Sequence, residues 1–184
     1  MTTEVKDEFL DHYRSSHQAF ERFCRALCRD REAARELIQE SLLQALEGYH
    51  RLENKEKFSS WMMGIAIRVK KSQDRKFKNW FLKEDLPEQS VDMHTDADAG
   101  LSMLRKLCHK LNVSEKEAFL LFELSDFSLE AIAEIQAANV NTVKTRLRRA
   151  REKLQKWLEK EYRQQDPLVN WSASTLNMEA KENG

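Results

Sequence analysis

The sequence predicts an all-α protein made of two small helical domains joined by a flexible acidic linker. Apolar residues recur at steps of three and four along most of the chain, and its 184 residues include only four Gly and two Pro. Residues 84–100 interrupt this pattern with six acidic residues and no Lys or Arg, a composition typical of a linker. We therefore expect a first domain at 1–83, the linker at 84–100, a second domain at 101–162 and a tail at 163–184.

The first two helices are expected at about residues 5–28 and directly after Asp30, which is a suitable N-cap. The first helix should bury Phe9, Tyr13, Phe20, Cys24 and Leu27. The second should bury Ala34, Ile38, Ser41, Leu42, Ala45 and Tyr49. Its opposite face carries acidic and polar residues around one apolar residue, namely Glu32, Glu36, Gln39, Glu40, Leu43 and Glu47. Such a face suits a basic partner, and a merely solvated helix face is the alternative.

A third helix is expected from Phe58 or Ser59 into a basic cluster, because residues 68–83 hold seven Lys or Arg against one Asp. A polar, cationic loop at 50–57 precedes it. An aromatic residue beside such a loop can stack on an unpaired base, which contributes about 1 to 3 kcal/mol, while cations hold the phosphates. Burial in the core is the stronger alternative for the two candidate aromatics, Phe58 and Trp61, together with Met62, Ile65 and Val69.

The second domain opens with Leu101, Leu104, Cys108 and Leu111 at helical spacing. Ser114 and Glu117 then match a capping box, in which the serine accepts from the backbone and the glutamate reaches back. The helix that follows should bury Ala118, Leu121 and Phe122.

Two helices separated by a tight break follow, with Ser128 and Asn139 as their N-caps. The first carries Leu129, Ile132, Ala133 and Ile135. The second packs Val143, Leu147, Ala150 and Leu154 inward. Its other sides carry polar and cationic residues: Asn141, Thr142, Lys144, Thr145, Arg146, Arg148 and Arg149. Hydrogen-bonding side chains then lie where base edges would be and cations where phosphates would be, as in a helix-turn-helix DNA reader. A solvated cationic face is the alternative.

The remaining features argue against several classes of protein. No stretch approaches the roughly 20 apolar residues of a membrane span, and the N-terminus lacks a basic start followed by an apolar run, so we expect a cytoplasmic protein. Three cysteines fit a reducing compartment. Core thiols are favoured for Cys24 and Cys28 over a metal pair completed by His17 or His109, because no second closely spaced ligand pair is present. We expect no cofactor, no metal and no catalytic residue.

The order of these features resembles that of the RNA polymerase sigma factors of the extracytoplasmic-function group, which keep only the domains called sigma-2 and sigma-4. Residues 30–46 look like the segment that binds the polymerase clamp helices, and residues 58–66 look like the start of the promoter-melting helix. Residues 111–121, 129–135 and 140–154 look like sigma-4. The resemblance extends over about residues 8–160 and implies an all-α fold with a sigma-2 bundle and a sigma-4 helix-turn-helix.

The resemblance implies partners and site residues. Core polymerase would be bound through its β' clamp helices and β flap, with Glu36, Gln39, Glu40 and Leu43 at the clamp. The minus-ten element of the promoter would be contacted by His50, Arg51, Lys55, Lys57, Phe58, Ser59, Trp61, Arg68, Lys71 and Arg75. The minus-thirty-five element would be read by Asn141, Thr142, Lys144, Thr145, Arg146, Arg148 and Arg149. An anti-sigma factor is a further expected partner.

Two departures from the family pattern stand out. Residues 136–139 read Gln-Ala-Ala-Asn where the family usually has Gly in the bend and then an aliphatic residue, and Ala at a positive φ costs roughly 1 kcal/mol or more. Arg68 and Ser72 replace the usual Asn and Asp of the third helix. Two other functions stay open: an adaptor that mimics the fold to capture an anti-sigma factor, and a dimeric helix-turn-helix repressor.

Overall fold

The computed structural model describes residues 3–81, 106–108 and 110–165, and every regular element in these ranges is helical. The helices are α1 (Thr3–Leu27), α2 (Arg31–Gly48), α3 (Phe58–Phe81), α4 (Val113–Glu123), α5 (Leu129–Ile135) and α6 (Val140–Gln165). Short 3-10 helices at Tyr49–Arg51 and Lys55–Lys57 connect α2 to α3. Within these ranges no helix has the length and apolar character needed to cross a membrane. The predicted linker, Leu101, Leu104 and most of the tail lie outside the described residues.

The first three helices form a bundle whose elements begin where the sequence predicts. Asp30 caps α2, because its carboxylate accepts from the backbone N–H of Ala33 at 2.7 Å. The six residues of the stripe predicted for the second helix differ in burial. Ala34, Ser41, Ala45 and Tyr49 are buried, whereas Ile38 and Leu42 are only half-buried. Leu37 and Phe23 are fully buried although the sequence stripes omitted them.

Helix α3 is covered on more than one side. Phe58, Met62, Ile65 and Val69 are buried as predicted, and Trp61 is half-buried. Three further residues, Met63, Ala66 and Ile67, are buried as well. A single bundle would not cover so much of one helix, and the second bundle supplies the extra contact, since α3 packs against α5.

The second bundle corrects one predicted cap. Asn112, and not Ser114, is the N-cap of α4: its side chain accepts from the N–H of Glu115, whose carboxylate accepts in return from the N–H of Asn112. Glu117 therefore has no capping role, and it is buried instead. The predicted caps at Ser128 and Asn139 are confirmed by bonds to the N–H groups of residues 131 and 142.

The bend between α5 and α6 is closed by two crossed backbone bonds. The N–H of Ala138 donates to Ala133 at 2.9 Å and that of Ala137 donates to Glu134 at 3.2 Å, the Schellman pattern of a helix C-terminus. This pattern places Ala137 in the left-handed region with a φ of 47°. The expected strain at this bend is thus confirmed in its geometry.

The two bundles pack directly against each other. Buried residues from α1, α2 and α3 and from α4, α5 and α6 form one continuous apolar cluster, and α1 contacts α4. The sequence predicted two separate bundles, because the periodic stripes of each helix are satisfied within its own domain. Contact between the bundles buries additional residues of α3, and the stripe of a single helix does not reveal this contact.

Candidate functional site

The outward side of α2 presents a continuous acidic face. Its members, Glu32, Glu36, Gln39, Glu40, Leu43 and Glu47, are all exposed. Leu43 is 59 % exposed, which makes it the most exposed large apolar residue in the described part of the chain. Glu40 is oriented by Gln44, whose amide donates to its carboxylate at 2.8 Å. A rigid helix thus displays carboxylates around an apolar centre, an arrangement that suits a partner with cationic and apolar groups.

The loop between α2 and α3 is held over an aromatic ring. The ammonium of Lys55 lies 3.6 Å from the centre of the Tyr49 ring and donates to the Tyr49 carbonyl at 3.3 Å. Asn54 accepts from the N–H of Glu56 and so begins the second short helix. His50 and Arg51 remain exposed beside this fixed loop. The Arg51 guanidinium donates to the His50 ring at 3.3 Å and is accessible to phosphates.

The two candidate aromatics have different positions. Phe58 is only 3 % exposed and makes edge contacts with Phe9 and Tyr49 at centroid distances of 5.5 and 6.0 Å. Its ring belongs to the core, which corrects the expectation that it contacts a base. Trp61 is half-buried over Gly48, with its ring 6.5 Å from that of Tyr49. Trp61 is therefore the aromatic that keeps accessible surface beside the loop.

Helix α3 extends the cationic surface away from this loop. Arg68, Lys71 and Arg75 are exposed at steps of three and four and so share one side of the helix. Ser59 is half-buried at its start. Two cations of this region are already engaged by the second bundle, because Lys57 pairs with Glu134 at 2.8 Å and Lys71 pairs with Glu117 at 3.2 Å.

Helix α6 displays most of the predicted DNA-reading residues. Asn141, Lys144, Arg148 and Arg149 are exposed, and Thr142 and Thr145 are half-buried. Arg148 pairs with Glu152 one turn along the helix at 2.6 Å. Arg146 differs from the others, because its guanidinium donates to the side-chain oxygen of Gln136 at 2.8 Å and is thereby held against the bend.

A polar network that the sequence did not predict lies beneath these two surfaces. The carboxylate of Glu117 is 3 % exposed and accepts from Lys71 on α3 and from the Gln136 amide, both at 3.2 Å. Gln136 also donates to the carbonyl of Ser114 and accepts from Arg146. In the sequence, Glu117 stands next to the predicted buried residues of α4, which is a sign of burial. The capping-box interpretation instead placed it at the start of the helix.

The three cysteines are free and buried. Burial raises the pKa of the Cys28 and Cys108 thiols to about 11, and it raises the pKa of Cys24 well above its ordinary value. These thiols are protonated at neutral pH and pack as small apolar groups. Among the residues described, no three His, Cys, Asp or Glu side chains cluster as a metal site.

Two family models match the chain in the order of its two bundles. The model described as "Sigma-70 region 2" matches residues 12–81, and the model described as "Sigma-70, region 4" matches residues 101–154. Together they cover most of the chain. The first match contains the acidic face, the loop and all of α3, and the second contains the helix-turn-helix.

Three curated sigma factors are similar to this chain over most of its length. The chain is 32% identical over 138 residues to RNA polymerase sigma factor SigV of Bacillus subtilis, covering 72% of this chain and 80% of that protein. It is 31% identical over 135 residues to the ECF RNA polymerase sigma-E factor of Haemophilus influenzae, covering 65% and 71% respectively. It is 27% identical over 157 residues to ECF RNA polymerase sigma factor EcfG of Rhodopseudomonas palustris, covering 84% of each chain.

Two solved structures have the same fold. The sigma factor RpoE of Bartonella quintana, in complex with the anti-sigma factor NepR, matches with a TM-score of 0.73 at 27% identity, covering 86% of this chain and 98% of that one. CnrH, in complex with the cytosolic domain of CnrY, matches with a TM-score of 0.62 at 18% identity, covering 82% and 87%. None of these similarities favours the adaptor or the repressor.

Proposed function

Because this chain belongs to the sigma-70 family of RNA polymerase sigma factors, in the extracytoplasmic-function group, we propose that three of its surfaces have separate roles. One binds core polymerase, and the other two contact promoter DNA. The protein is a sigma factor that acts in transcription initiation, with core RNA polymerase, promoter DNA and an anti-sigma factor as partners. The proposal concerns which residues make each contact. It also places the limits of the two functional domains at 1–83 and 101–162.

The acidic face of α2 is the proposed contact with the clamp helices of polymerase. The observation that carries this assignment is the exposed Leu43 surrounded by Glu36, Gln39 and Glu40. An exposed leucine contributes binding free energy when it is buried at an interface, and the carboxylates around it favour a basic partner and set its orientation.

The loop after α2 and the cationic side of α3 form the proposed minus-ten surface. His50, Arg51 and Arg68 contact the phosphates, and the accessible part of Trp61 lies against an unpaired base, while Phe58 supports that ring from the core. Such contacts are stronger with an exposed single strand than with a duplex, because stacking needs an unpaired base. Binding of this surface therefore favours strand separation.

Helix α6 is the proposed reader of the minus-thirty-five element. Asn141, Lys144 and Arg148 are exposed at the part of the helix that follows the bend, which is the part that enters the major groove in helix-turn-helix proteins. The two DNA surfaces lie on different domains, so docking both on polymerase raises their effective concentration at one promoter. The chain contributes binding only, and it acts in the cytoplasm, where core polymerase works.

The acidic face is tested by reversing its charge. Glu36→Lys combined with Glu40→Lys should abolish co-elution with core polymerase, because both side chains are exposed and their reversal repels a basic partner. The matched control is Asp7→Lys combined with Asp11→Lys, which changes the same charges at the same spacing on α1 and precedes the region 2 match. Unchanged co-elution of the first variant, with a native circular dichroism spectrum, would refute the assignment.

A further inference from the structure

We propose that Gln136 is a positioning residue for DNA recognition, because it holds the Arg146 guanidinium in place for a phosphate of the minus-thirty-five element. The proposal rests on the function proposed above and adds to it the group that orders one contact of α6. Gln136 is the C-cap of α5 and lies at the bend. Arg146 follows it by ten positions, on α6.

The orientation of the Gln136 amide is determined by its partners on α4. Its nitrogen donates to the carbonyl of Ser114 at 3.0 Å and to the carboxylate of Glu117 at 3.2 Å. Its oxygen then accepts from the Arg146 guanidinium at 2.8 Å. A rotated amide would place its oxygen against two acceptors and its nitrogen against a cation. The three contacts therefore require a side chain that both donates and accepts, which is what glutamine supplies.

The partner of Arg146 is neutral, unlike the partners of several other cations on the same helix. Those cations pair with carboxylates: Arg148 with Glu152, Arg151 with Glu123, and Lys153 with Glu115. A carboxylate competes with phosphate for the cation, whereas an amide oxygen orients the cation without cancelling its charge. A guanidinium has several N–H donors, and this bond uses one of them. Gln136 thus orders Arg146 and leaves its charge available to DNA.

The position of Arg146 explains why it needs this support. The side chain is half-buried, and it lines an open cleft at the bend together with Thr142, one turn earlier on α6. The same cleft is lined by two carboxylates of α5, Glu130 and Glu134. A guanidinium released from Gln136 is attracted to these carboxylates, and it must be ordered again when phosphate binds. The hydrogen bond to Gln136 avoids both costs.

A double-substitution cycle tests whether Gln136 acts through Arg146. The probe is a promoter found by sequencing transcripts of the wild-type holoenzyme, and the measurement is the affinity of the holoenzyme for this DNA. Gln136→Met removes both hydrogen-bonding groups and should weaken binding about three- to ten-fold, since one long side chain must then be ordered on binding. Arg146→Met removes the phosphate contact itself and should weaken binding by about ten-fold. In that background, Gln136→Met should change the affinity by less than about two-fold.

A role confined to the stability of the bend predicts a different result. Gln136→Met would then weaken binding by the same factor with and without Arg146, and equal factors would overturn the proposal. Unchanged affinity in either single variant would overturn it as well. The matched control is Gln155→Met, which removes a glutamine amide from α6 that donates to Glu159 at 3.0 Å. This control should retain the wild-type affinity, and circular dichroism checks the fold of every variant.

Nitrogen NMR of the full chain tests the hydrogen bond without polymerase. Rotation about the Cζ–Nη bonds of Arg146 should be slow in the wild type and in Gln155→Met, and fast in Gln136→Met. Fast rotation in the wild type, or slow rotation in all three proteins, would overturn the positioning role. Failure of the wild-type holoenzyme to select any promoter would instead refute the proposed function, while the NMR result still decides whether Gln136 holds Arg146.

Discussion

Replacing Ala137 by glycine should stabilise the helix-turn-helix domain. Ala137 has a φ of 47° because it follows Gln136, the C-cap of α5, at the position where the two crossed bonds of the bend require a left-handed backbone. Alanine in this region costs about 1 to 2 kcal/mol, because its Cβ approaches the next carbonyl oxygen. Glycine has no Cβ and adopts the same conformation without this cost.

The expected gain is smaller than the strain that is removed. Glycine makes the unfolded chain more flexible, which costs roughly 0.5 to 1 kcal/mol relative to alanine. The Ala137 side chain is exposed, so its removal forfeits little packing. Ala137→Gly should therefore raise the free energy of unfolding by about 0.5 to 1 kcal/mol, which corresponds to roughly 1 to 4 °C in Tm for a chain of this size.

The assay is thermal unfolding followed by circular dichroism, with the neighbouring alanine as the control. Ala138 does not have a positive φ and is half-buried. Ala138→Gly therefore has the entropic cost without the relief of strain and should lower the free energy of unfolding by about 0.5 to 1 kcal/mol. If both substitutions destabilise the protein equally, the strain assigned to the bend is absent.

Two further predictions concern the DNA reader and the buried thiols. Arg148→Ala should weaken binding to the upstream element by about 1 to 3 kcal/mol and so reduce transcription from promoters that contain it. Lys156→Ala, further along the same helix, should have a smaller effect. Equal effects of the two substitutions would show that Arg148 does not read the element. Burial raises the pKa of Cys28 and Cys108 from 9.0 to about 11. Their contribution to stability is therefore complete below pH 9 and is lost as the pH rises towards 11, by about 2 to 3 kcal/mol per thiol. Urea unfolding should show this loss, and Cys108→Ala should make it shallower; an identical pH dependence in the variant would contradict the assignment.

The sequence predicted most features that depend on local periodicity and capping. The caps at Asp30, Ser128 and Asn139 and the exposed acidic face of α2 follow from side-chain chemistry within one turn of a helix, so a single segment contains the necessary information. The exposure of Leu43 and the positive φ at the bend were predictable for the same reason.

The features that the sequence did not predict depend on residues far apart in the chain. The cap of α4 is a local exception, because Asn112 occupies the N-cap position that was predicted for Ser114. Glu117 is buried because Lys71, which precedes it by 46 positions, and Gln136 approach it from other helices. No local pattern contains such a pairing, and the packing of one bundle on the other was missed for the same reason.

The central claim is that this chain directs core RNA polymerase to specific start sites through two DNA surfaces that are carried on separate domains. Its most direct test is sequencing of the 5′ ends of transcripts made in vitro by core polymerase on genomic DNA, with and without the protein. We expect defined start sites that appear only with the protein and are preceded by two common sequence elements. Folded protein, free of inhibitor, that yields no such start sites would contradict it.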